Sequence, residues 1–533
     1  MWTTRVLVVD DTPLALRTMA RLLTDKGFSV HTAASRQEAI EAVQRERFHV
    51  AVLDMCLDEM DDDNREGLAL MNDILAVDPT TAIVILTGYA DARSTKIALR
   101  QQPDAESIFK LWTSPAYDFI EKHPENLKNM PLVIGNAFRD VVHVNPDLKI
   151  EYPDGYLDTV VSRLGFVGTP RPDDAHLRAE VDELLRKLFH SWVHINIQPL
   201  AASHSGNSKA VVFQVEPRGA MGQAETIIAK IGDPVLIERE IMNYRQFIRG
   251  WVSFVPTAIE PAWRTRSLGG IVYTYAGLGG TIRDFAQVHR EEPEVSPTVV
   301  RNLFERTVNW RPQPDAGTCD RDMRRVYMQL LRLTPEELRE KRDLLIQEGK
   351  LRREGEKLVV VGADVPPLVD PVEFALTATL EADCAEMIVH GDLHVHNVLV
   401  DSPGNSWLID FANTSRGPIW FDYAFFETSS RVELVAGTPN ELYVWARLLS
   451  TVDQVELPPA LASNPDIRNM HPVVNTIREL AFTNRAELDR LGYLHGLLFK
   501  ALRLITVRFL SAEHRLHALI IASQAAERLG AGN

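Results

Sequence analysis

The chain has 533 residues, enough for about three or four structural units at roughly 150 residues each. Hydrophobic residues make up 45% and charged residues 24%, a globular composition that excludes wholesale disorder. The net charge of −16, from 57 basic and 73 acidic residues, argues against non-specific binding to nucleic acid or anionic lipid.

The three cysteines (Cys56, Cys319 and Cys384) are scattered along the sequence. They suggest neither a disulfide framework nor a zinc cluster, as in a reducing compartment. No apolar run reaches the ~18 residues of a membrane span. The stretch Leu491 to Leu510 is broken by His495, Lys500, Arg503 and Arg508, and reads as a buried helix. Met1 to Arg5 runs straight into a strand pattern, leaving no room for a signal peptide. These features predict a soluble, multidomain, cytoplasmic protein.

In chain order, Val6–Val9 reads as a buried strand, and Leu14, Leu16, Met19, Ala20, Leu22 and Leu23 as a helical stripe. Ser29–Ala33, Val50–Leu53 and Ile83–Leu86 are three further strands, separated by helices over Glu38–Arg45 and Leu68–Leu75. Such alternation predicts a parallel sheet with helices on both faces, whose ligands bind at the carboxyl ends of the strands. Those ends carry Asp10 and Asp11, then Asp54, then Thr87. Three converging carboxylates repel one another and need a cation; hard oxygen ligands suit Mg²⁺. With Mg²⁺ bound, a carboxylate can attack a phosphoryl group, and a hydroxyl and an ammonium can hold the new oxygens.

Residues 5–145 therefore resemble a response-regulator receiver domain, a doubly wound five-stranded parallel α/β sheet. The resemblance implies that Asp10 and Asp11 hold the metal together with Asp54, that Asp54 is the phosphoacceptor and that Thr87 is the switch hydroxyl. Lys110 lies 23 residues after Thr87, close to the family's usual spacing. The segment PAYDFIEKH reproduces the fifth-strand motif better, making Lys122 the phosphate-binding lysine and Phe119 the mobile aromatic, and implying an insertion before that strand. His123 stands where the family has proline, and DEMDDDNRE lengthens the loop after Asp54. A receiver of this kind implies a histidine kinase or phosphotransfer protein as phosphodonor. A receiver that keeps these residues without being phosphorylated is the competing reading.

Beyond it, a Pro/Asp/Gly-rich section contains amphipathic helices over Leu157–Leu164 and Ala175–Phe189, read as a structured linker. Strand-like runs follow at Gln198–Leu200 and Ala210–Val215. The strongest signal is His390-Gly391-Asp392-Leu393-His394-Val395-His396-Asn397, followed by Trp407-Leu408-Ile409-Asp410-Phe411. Val398–Val400 and Trp407–Ile409, joined by a polar turn, predict a β-hairpin that lays Asn397 beside Asp410, with Asp392 nearby. A carboxylate base with an Asn/Asp metal pair is what Mg-dependent phosphoryl transfer requires.

This constellation resembles the protein-kinase-like superfamily, closest the aminoglycoside/choline phosphotransferase branch, and is similar to kinase-like modules of predicted bacterial conflict systems. The resemblance implies Mg²⁺ and ATP as cofactors, Asp392 as catalytic base, Asn397 and Asp410 as metal ligands, and His390 as a brace of the loop. Asp422, in Gly417-Pro418-Ile419-Trp420-Phe421-Asp422, is then structural. Upstream, Lys230 would contact phosphate and pair with Glu240, with Glu238 as the alternative. The turn at Ser205 and Gly206 would cover phosphates, and the hinge strand Ile271–Gly277, with Tyr275, would meet adenine. His394 and His396, two apart in the loop, read as loop residues rather than zinc ligands.

The expected architecture is a receiver (1–145), a helical linker (146–190), and a bilobal α+β kinase-like domain with N-lobe 191–280 and C-lobe 281–533. The C-lobe carries an insert at about 297–369, read as helix, turn and wing-like hairpin. From Asp320 to Lys357 the insert has 11 basic and 9 acidic residues, too little excess for DNA binding, so a docking role is expected. The expected function is a receiver that controls an ATP-dependent phosphotransferase acting on an unknown acceptor. The alternatives are a catalytically inactive pseudokinase module that binds nucleotide or a partner, and a free-standing small-molecule kinase with a decayed receiver.

Overall fold

Strand β1 (Arg5–Val9) is apolar on both faces because helices cover both sides of its sheet. A computed structural model of the protein describes residues 2–57, 66–87, 116–200, 209–219, 222–223, 226–249, 257–275, 282–307, 318–402, 404–482 and 490–531. With β2 (Ser29–Ala33), β3 (Val50–Asp54), β4 (Ala82–Thr87) and β5 (Asp118–Glu121), β1 forms a five-stranded sheet of order β2-β1-β3-β4-β5. The strand pairs are parallel throughout.

Alternate residues face opposite layers. Leu7, Val9, Leu53 and Ile85 pack with Ala39, Ala42, Leu70 and Ile74 from helices α2 (Arg36–Arg45) and α3 (Glu66–Val77). Val6, Val8, Val52 and Leu86 pack with Leu16, Met19 and Leu23 of α1 (Pro13–Thr24) and with Met130 and Ile134. Each such buried Leu or Ile contributes about 1.5–3 kcal/mol. One residue of the predicted α1 stripe departs: Leu14 is exposed, because it opens the first turn, ahead of the face that meets the sheet.

The expected linker is not a linker. Lys149–Glu151 (β6) pairs in parallel with His194–Pro199 (β7), which begins before the expected run at Gln198. Both belong to a seven-stranded sheet whose spatial order is 257–264, 269–275, 227–232, 211–219 (β8), β7, β6, with Gly222–Gln223 on β8. Helices Tyr156–Arg163 and Asp174–Leu188 share one core with that sheet through Val160, Leu177, Val181 and Leu184 against Ile195, Phe213 and Ile231. The amphipathic stripes of the two helices are thus the missing layer of the sheet. Likewise, no boundary between compact units falls at 145/146. Residues 1–198, 209–238 and 259–274 form one compact unit, and 199–208, 239–258 and 275–533 the other.

Inside the first unit a buried ionic network joins receiver to helix. Arg47 forks onto both Glu183 oxygens at 2.9 and 3.2 Å, while its Nε reaches Asp78 at 3.2 Å. Lys187 lies 3.4 Å from Glu183. Glu180 accepts from Thr265 at 2.5 Å and from the Ser267 amide at 2.8 Å, and Arg266 donates to the Val43 carbonyl. Arg47 and Asp78 sit just before β3 and β4, at the opposite end of the sheet from Asp54 and Thr87.

In the second unit, Val398–Val400 and Ser406–Leu408 form a hairpin joined by Arg283–Asp284. Strand Glu386–Val389 pairs with Ser415–Pro418. Helix Phe421–Leu434 is buried along nearly its whole length; the buried helix expected over Leu491–Leu510 is one over Arg490–Ile505, ending before Arg508 and the exposed Phe509. No helix among the described residues is long and apolar enough to cross a membrane. Within the expected insert, helix Pro335–Gln347 precedes the hairpin Leu351–Glu354/Lys357–Val360, which gains a third strand at Leu368–Val369. The expected start of the insert at 297 falls inside helix Ser296–Arg306, which binds the hairpin turn through Arg306 to Asn405 and Ser406 to the Val299 carbonyl.

Candidate functional site

At the carboxyl end of the receiver sheet, Asp10, Asp11 and Asp54 each offer an oxygen within 4.8 Å of the others. Asp10 and Asp54 are buried and Asp11 is half-buried. Lys122 follows β5, its amide donating to the Thr87 carbonyl at 2.9 Å. Its Nζ lies 2.5 Å from Asp54 Oδ2 and 2.9 Å from Asp10 Oδ2. Three carboxylates against one ammonium leave two negative charges in excess. This hard-oxygen donor set and its charge fit a divalent cation such as Mg²⁺. Burial raises the Asp54 carboxyl to about 6, with Lys122 pulling the other way and Asp10 adding to the rise. Burial lowers Lys122, but hydrogen bonds to Asp54 and Asp10 outweigh it and the ammonium is held above its ordinary range.

Thr87 is buried at the end of β4, and Phe119 is buried on β5 opposite Ile85. Gly67 lies against the end of β3: its amide donates to the Met55 carbonyl, and a Cβ there would sit 2.0 Å from the Asp54 carbonyl oxygen. Lys110 and most of the acidic DEMDDDNRE loop lie outside the described residues. His123 caps the short helix Pro124–Lys128.

In the second unit the hairpin does what its sequence predicts. Val398 faces Leu408, and the Ile409 amide donates to the Asn397 carbonyl at 3.2 Å, so Asn397 and Asp410 flank one end of the hairpin. Asn397 Nδ2 donates to the Asp392 carbonyl at 2.9 Å, which leaves its Oδ1 as an oxygen donor. Asp410 adopts a left-handed backbone, φ 67° and ψ 68°. One amide oxygen and one carboxylate form a hard donor pair suited to Mg²⁺.

His390 braces the loop. Its Nε2 lies 3.0 Å from the Ile409 carbonyl, and its amide and that of Gly391 donate to Asp422 at 2.7 and 3.2 Å. Burial pushes the Asp422 carboxyl up, and these amide bonds offset part of that. Gly391 has φ 81°, and a Cβ there would meet the Asn413 carbonyl oxygen at 2.2 Å. Glu240 accepts from the Phe411 amide at 3.0 Å.

Of the remaining expected nucleotide contacts, Lys230 is buried on the seven-stranded sheet, in register with Val212 and Ile271. It belongs to the first unit and Glu240 to the second. Glu238, the alternative, lies 3.8 Å from Arg264. Ser205, Gly206 and the Tyr275 side chain lie outside the described residues; the Tyr275 backbone ends its strand.

Sequence reasoning missed two groups around the loop. His396 Nδ1 lies 2.8 Å from Asp284, and its Nε2 lies 3.5 Å from Glu433. Burial disfavours the imidazolium, but these carboxylates raise His396 to about 9. His394 Nδ1 accepts from the His396 amide, so the His394 ring bonds within the loop while the His396 ring ties it to Asp284 and Glu433. Lys500 is buried with its ammonium 4.6 Å from the Phe425 ring. No local pattern could have revealed Asp284, which is 112 residues from His396.

Comparison with known proteins separates the two regions. Residues 6–115 match the family model described as response regulator receiver domain, and residues 321–506 match a different one, ternary complex associated domain 9. The chain is 32% identical over 110 residues to the transcriptional regulatory protein GlrR of Escherichia coli K12, covering 21% of this chain and 22% of that protein. It is 37% identical over 86 residues to the alginate biosynthesis transcriptional regulatory protein AlgB of Pseudomonas aeruginosa, covering 16% of this chain and 18% of that one. The chain thus spans about a fifth of the length of these curated relatives. A CheY-like receiver structure from Methanospirillum hungatei aligns with 21% identity and a TM-score of 0.20, over 26% of this chain and 94% of that one. The N-terminal region is a response-regulator receiver domain. The match over 321–506 includes both the His390–Asn397 loop and Asp410.

Proposed function

We propose that this chain is a two-component signalling protein in which Asp54 accepts phosphate from a histidine kinase or phosphotransfer protein and thereby controls an ATP-dependent phosphotransferase centred on Asp392. The single observation that carries the output half is the hydrogen-bonded closure of the hairpin. The Ile409 amide on the Asn397 carbonyl sets an amide and a carboxylate, the donor types that suit Mg²⁺, at one end of the hairpin, and Asn397 Nδ2 holds the Asp392 backbone. Bound Mg²⁺ would neutralise the phosphate charge of ATP. Asn397 and Asp410 would hold it, and Asp392 would orient the acceptor hydroxyl and take its proton. The receiver half rests on the carboxylate triad with Lys122. The acceptor is left as a protein or a small molecule.

The family matched by residues 321–506 is described as complex-associated, not as a phosphotransferase. That description favours the second reading, a module that binds nucleotide or a partner without transferring phosphate. One experiment separates the two. Mg·ATP binding by calorimetry and ATP consumption are compared for wild type, Asp392→Ala and Asp410→Ala, with protein and small-molecule acceptors offered. The enzymatic reading expects Asp410→Ala to lose metal-dependent binding and Asp392→Ala to bind normally but lose turnover, because a base acts mainly in the transition state. Turnover that survives Asp392→Ala unchanged rules out Asp392 as base. No turnover in wild type, with nucleotide still bound, selects the non-catalytic module.

A further inference from the structure

Cys319 and Cys384, distant in sequence, are neighbours in the second unit. Thr318 and Ala385 form an antiparallel bridge, and the Cys319 amide donates to the Cys384 carbonyl at 2.9 Å, so the two cysteines are the next cross-chain pair. Both thiols converge on one oxygen: Cys319 Sγ lies 3.9 Å and Cys384 Sγ 3.4 Å from the Ala385 carbonyl. Cys319 is half-buried and Cys384 is buried, so an oxidant reaches Cys319 first and Cys384 stands behind it. Paired backbones one hydrogen bond apart lie within the span that a disulfide needs.

We propose that Cys319 and Cys384 are an oxidisable pair, joined as an intrachain disulfide by a peroxide. The Cys319 thiol gives up its proton and its sulfur attacks one peroxide oxygen; the O–O bond breaks, forming a sulfenic acid and releasing one water. The Cys384 sulfur then attacks the Cys319 sulfur, the S–OH bond breaks, and the hydroxyl leaves as a second water with the Cys384 proton. Two thiols are oxidised and one peroxide is reduced to two waters.

The link would fasten the segment at Thr318–Asp322 to the strand Glu386–Val389, which leads directly into His390 and Asp392. It would also close a loop over residues 320–383, which holds the helix and hairpin of the expected insert but not its first part, restricting the opening of that region. The hydrogen bond with Cys384, together with burial, holds the Cys319 thiol well above its ordinary range. Little thiolate is therefore present, and the reaction is slow, responding to sustained rather than brief oxidant.

The test uses the full-length protein, exposed to excess hydrogen peroxide, quenched with N-ethylmaleimide and digested without reduction. The expected result is a Cys319–Cys384 cross-linked peptide, with loss of two hydrogens from the intact mass, reversal by dithiothreitol, and Cys56 still alkylated. Cys56→Ser should form the same link, and Cys384→Ser should lose it. Quantitative alkylation of both cysteines after prolonged peroxide, or their conversion to sulfinic acids without a cross-link, overturns the proposal. So does a link through Cys56 in their place. Because the wild-type peptide map alone decides the matter, a poorly folding variant leaves the test intact.

Discussion

The Phe411 amide donates to Glu240 Oε1 at 3.0 Å, and the carbonyls of Phe411 and Ala412 accept from Asn243 Nδ2 at 3.1 and 2.9 Å. Two side chains one helical turn apart therefore grip the backbone just after Asp410. Glu240 was expected to pair with a lysine; a further role in the structure is to fix the turn that carries Asp410.

Replacing Glu240 with alanine should leave the Phe411 amide buried without this partner, a loss of about 1.5–3 kcal/mol for a hydrogen bond to a charged group. Hydrogen exchange at residues 410–413 should accelerate, and Glu240→Gln, which keeps an acceptor, should restore most of the protection. Unchanged exchange in Glu240→Ala would show that the turn is held by Asn243 alone.

Acetyl phosphate with Mg²⁺ should add a single phosphoryl group to the protein, visible by intact mass. Asp54→Asn or chelation of the metal should abolish the label. Lys122→Ala should remove the ammonium 2.5 Å from Asp54 and uncouple phosphorylation from the output, whereas Lys110→Ala should do little. The reverse pattern for the two lysines would displace Lys122 from the site.

Arg47→Met should destabilise the first unit by about 3–5 kcal/mol, because Glu183 and Asp78 would remain buried without their shared cation. Arg47→Lys should rescue little, since a point charge cannot fork onto Glu183 and reach Asp78 together. Scanning calorimetry should place the loss in the transition of this unit. A wild-type Tm for Arg47→Met would mean that the network is neutral.

The same network sets an acid dependence. Burial pushes the Glu183 carboxyl up, but Arg47 and then Lys187 outweigh it, holding Glu183 well below the ordinary carboxylate range. Asp78, opposed by burial and favoured by Arg47 and Thr80, is lowered too. A carboxylate depressed in the folded state stabilises fully above its unfolded pKa, about 4, and loses that contribution as pH falls through the lower folded value. Far-UV circular dichroism on acidification should show wild type holding its structure below pH ~4. Arg47→Met should unfold at higher pH, because burial then dominates and protonation is favoured in the folded state. Coincident acid transitions would contradict this.

Gly391→Ala should disrupt the His390–Asn397 loop. It combines φ 81°, which costs an L-residue about 1–3 kcal/mol, with a Cβ at 2.2 Å from a fixed carbonyl oxygen. The expected result is a lower Tm and, if the proposed function holds, lost nucleotide binding. Wild-type values for both would show that the loop has room to shift.

What could be read in the sequence was what is local. The strands of the receiver announce themselves as Val6–Val9 and Ile83–Leu86, and the hairpin between Asn397 and Asp410 is written within fourteen consecutive residues. Lys149–Glu151 is three residues without an apolar run, so nothing signalled that it joins a sheet and turns a supposed linker into a packed layer. Arg47 and Glu183 are 136 residues apart, and Cys319 and Cys384 meet only because Thr318 bridges Ala385. Long-range partners of this kind have no periodicity or spacing to betray them.

The sharing of one core by β6, the two helices and the seven-stranded sheet removes the seam at which receivers are ordinarily cut from their neighbours. A hybrid joined after residue 145 would strip Arg47 of Glu183, and one joined after 190 would lift Leu177, Val181 and Leu184 off Ile195 and Phe213. A foreign receiver would have to bring the equivalents of Arg47 and Asp78, and a backbone carbonyl where Val43 accepts from Arg266. Receiver and sheet must therefore be exchanged together: a working chimera has to carry the packed layer along with the phosphorylation site.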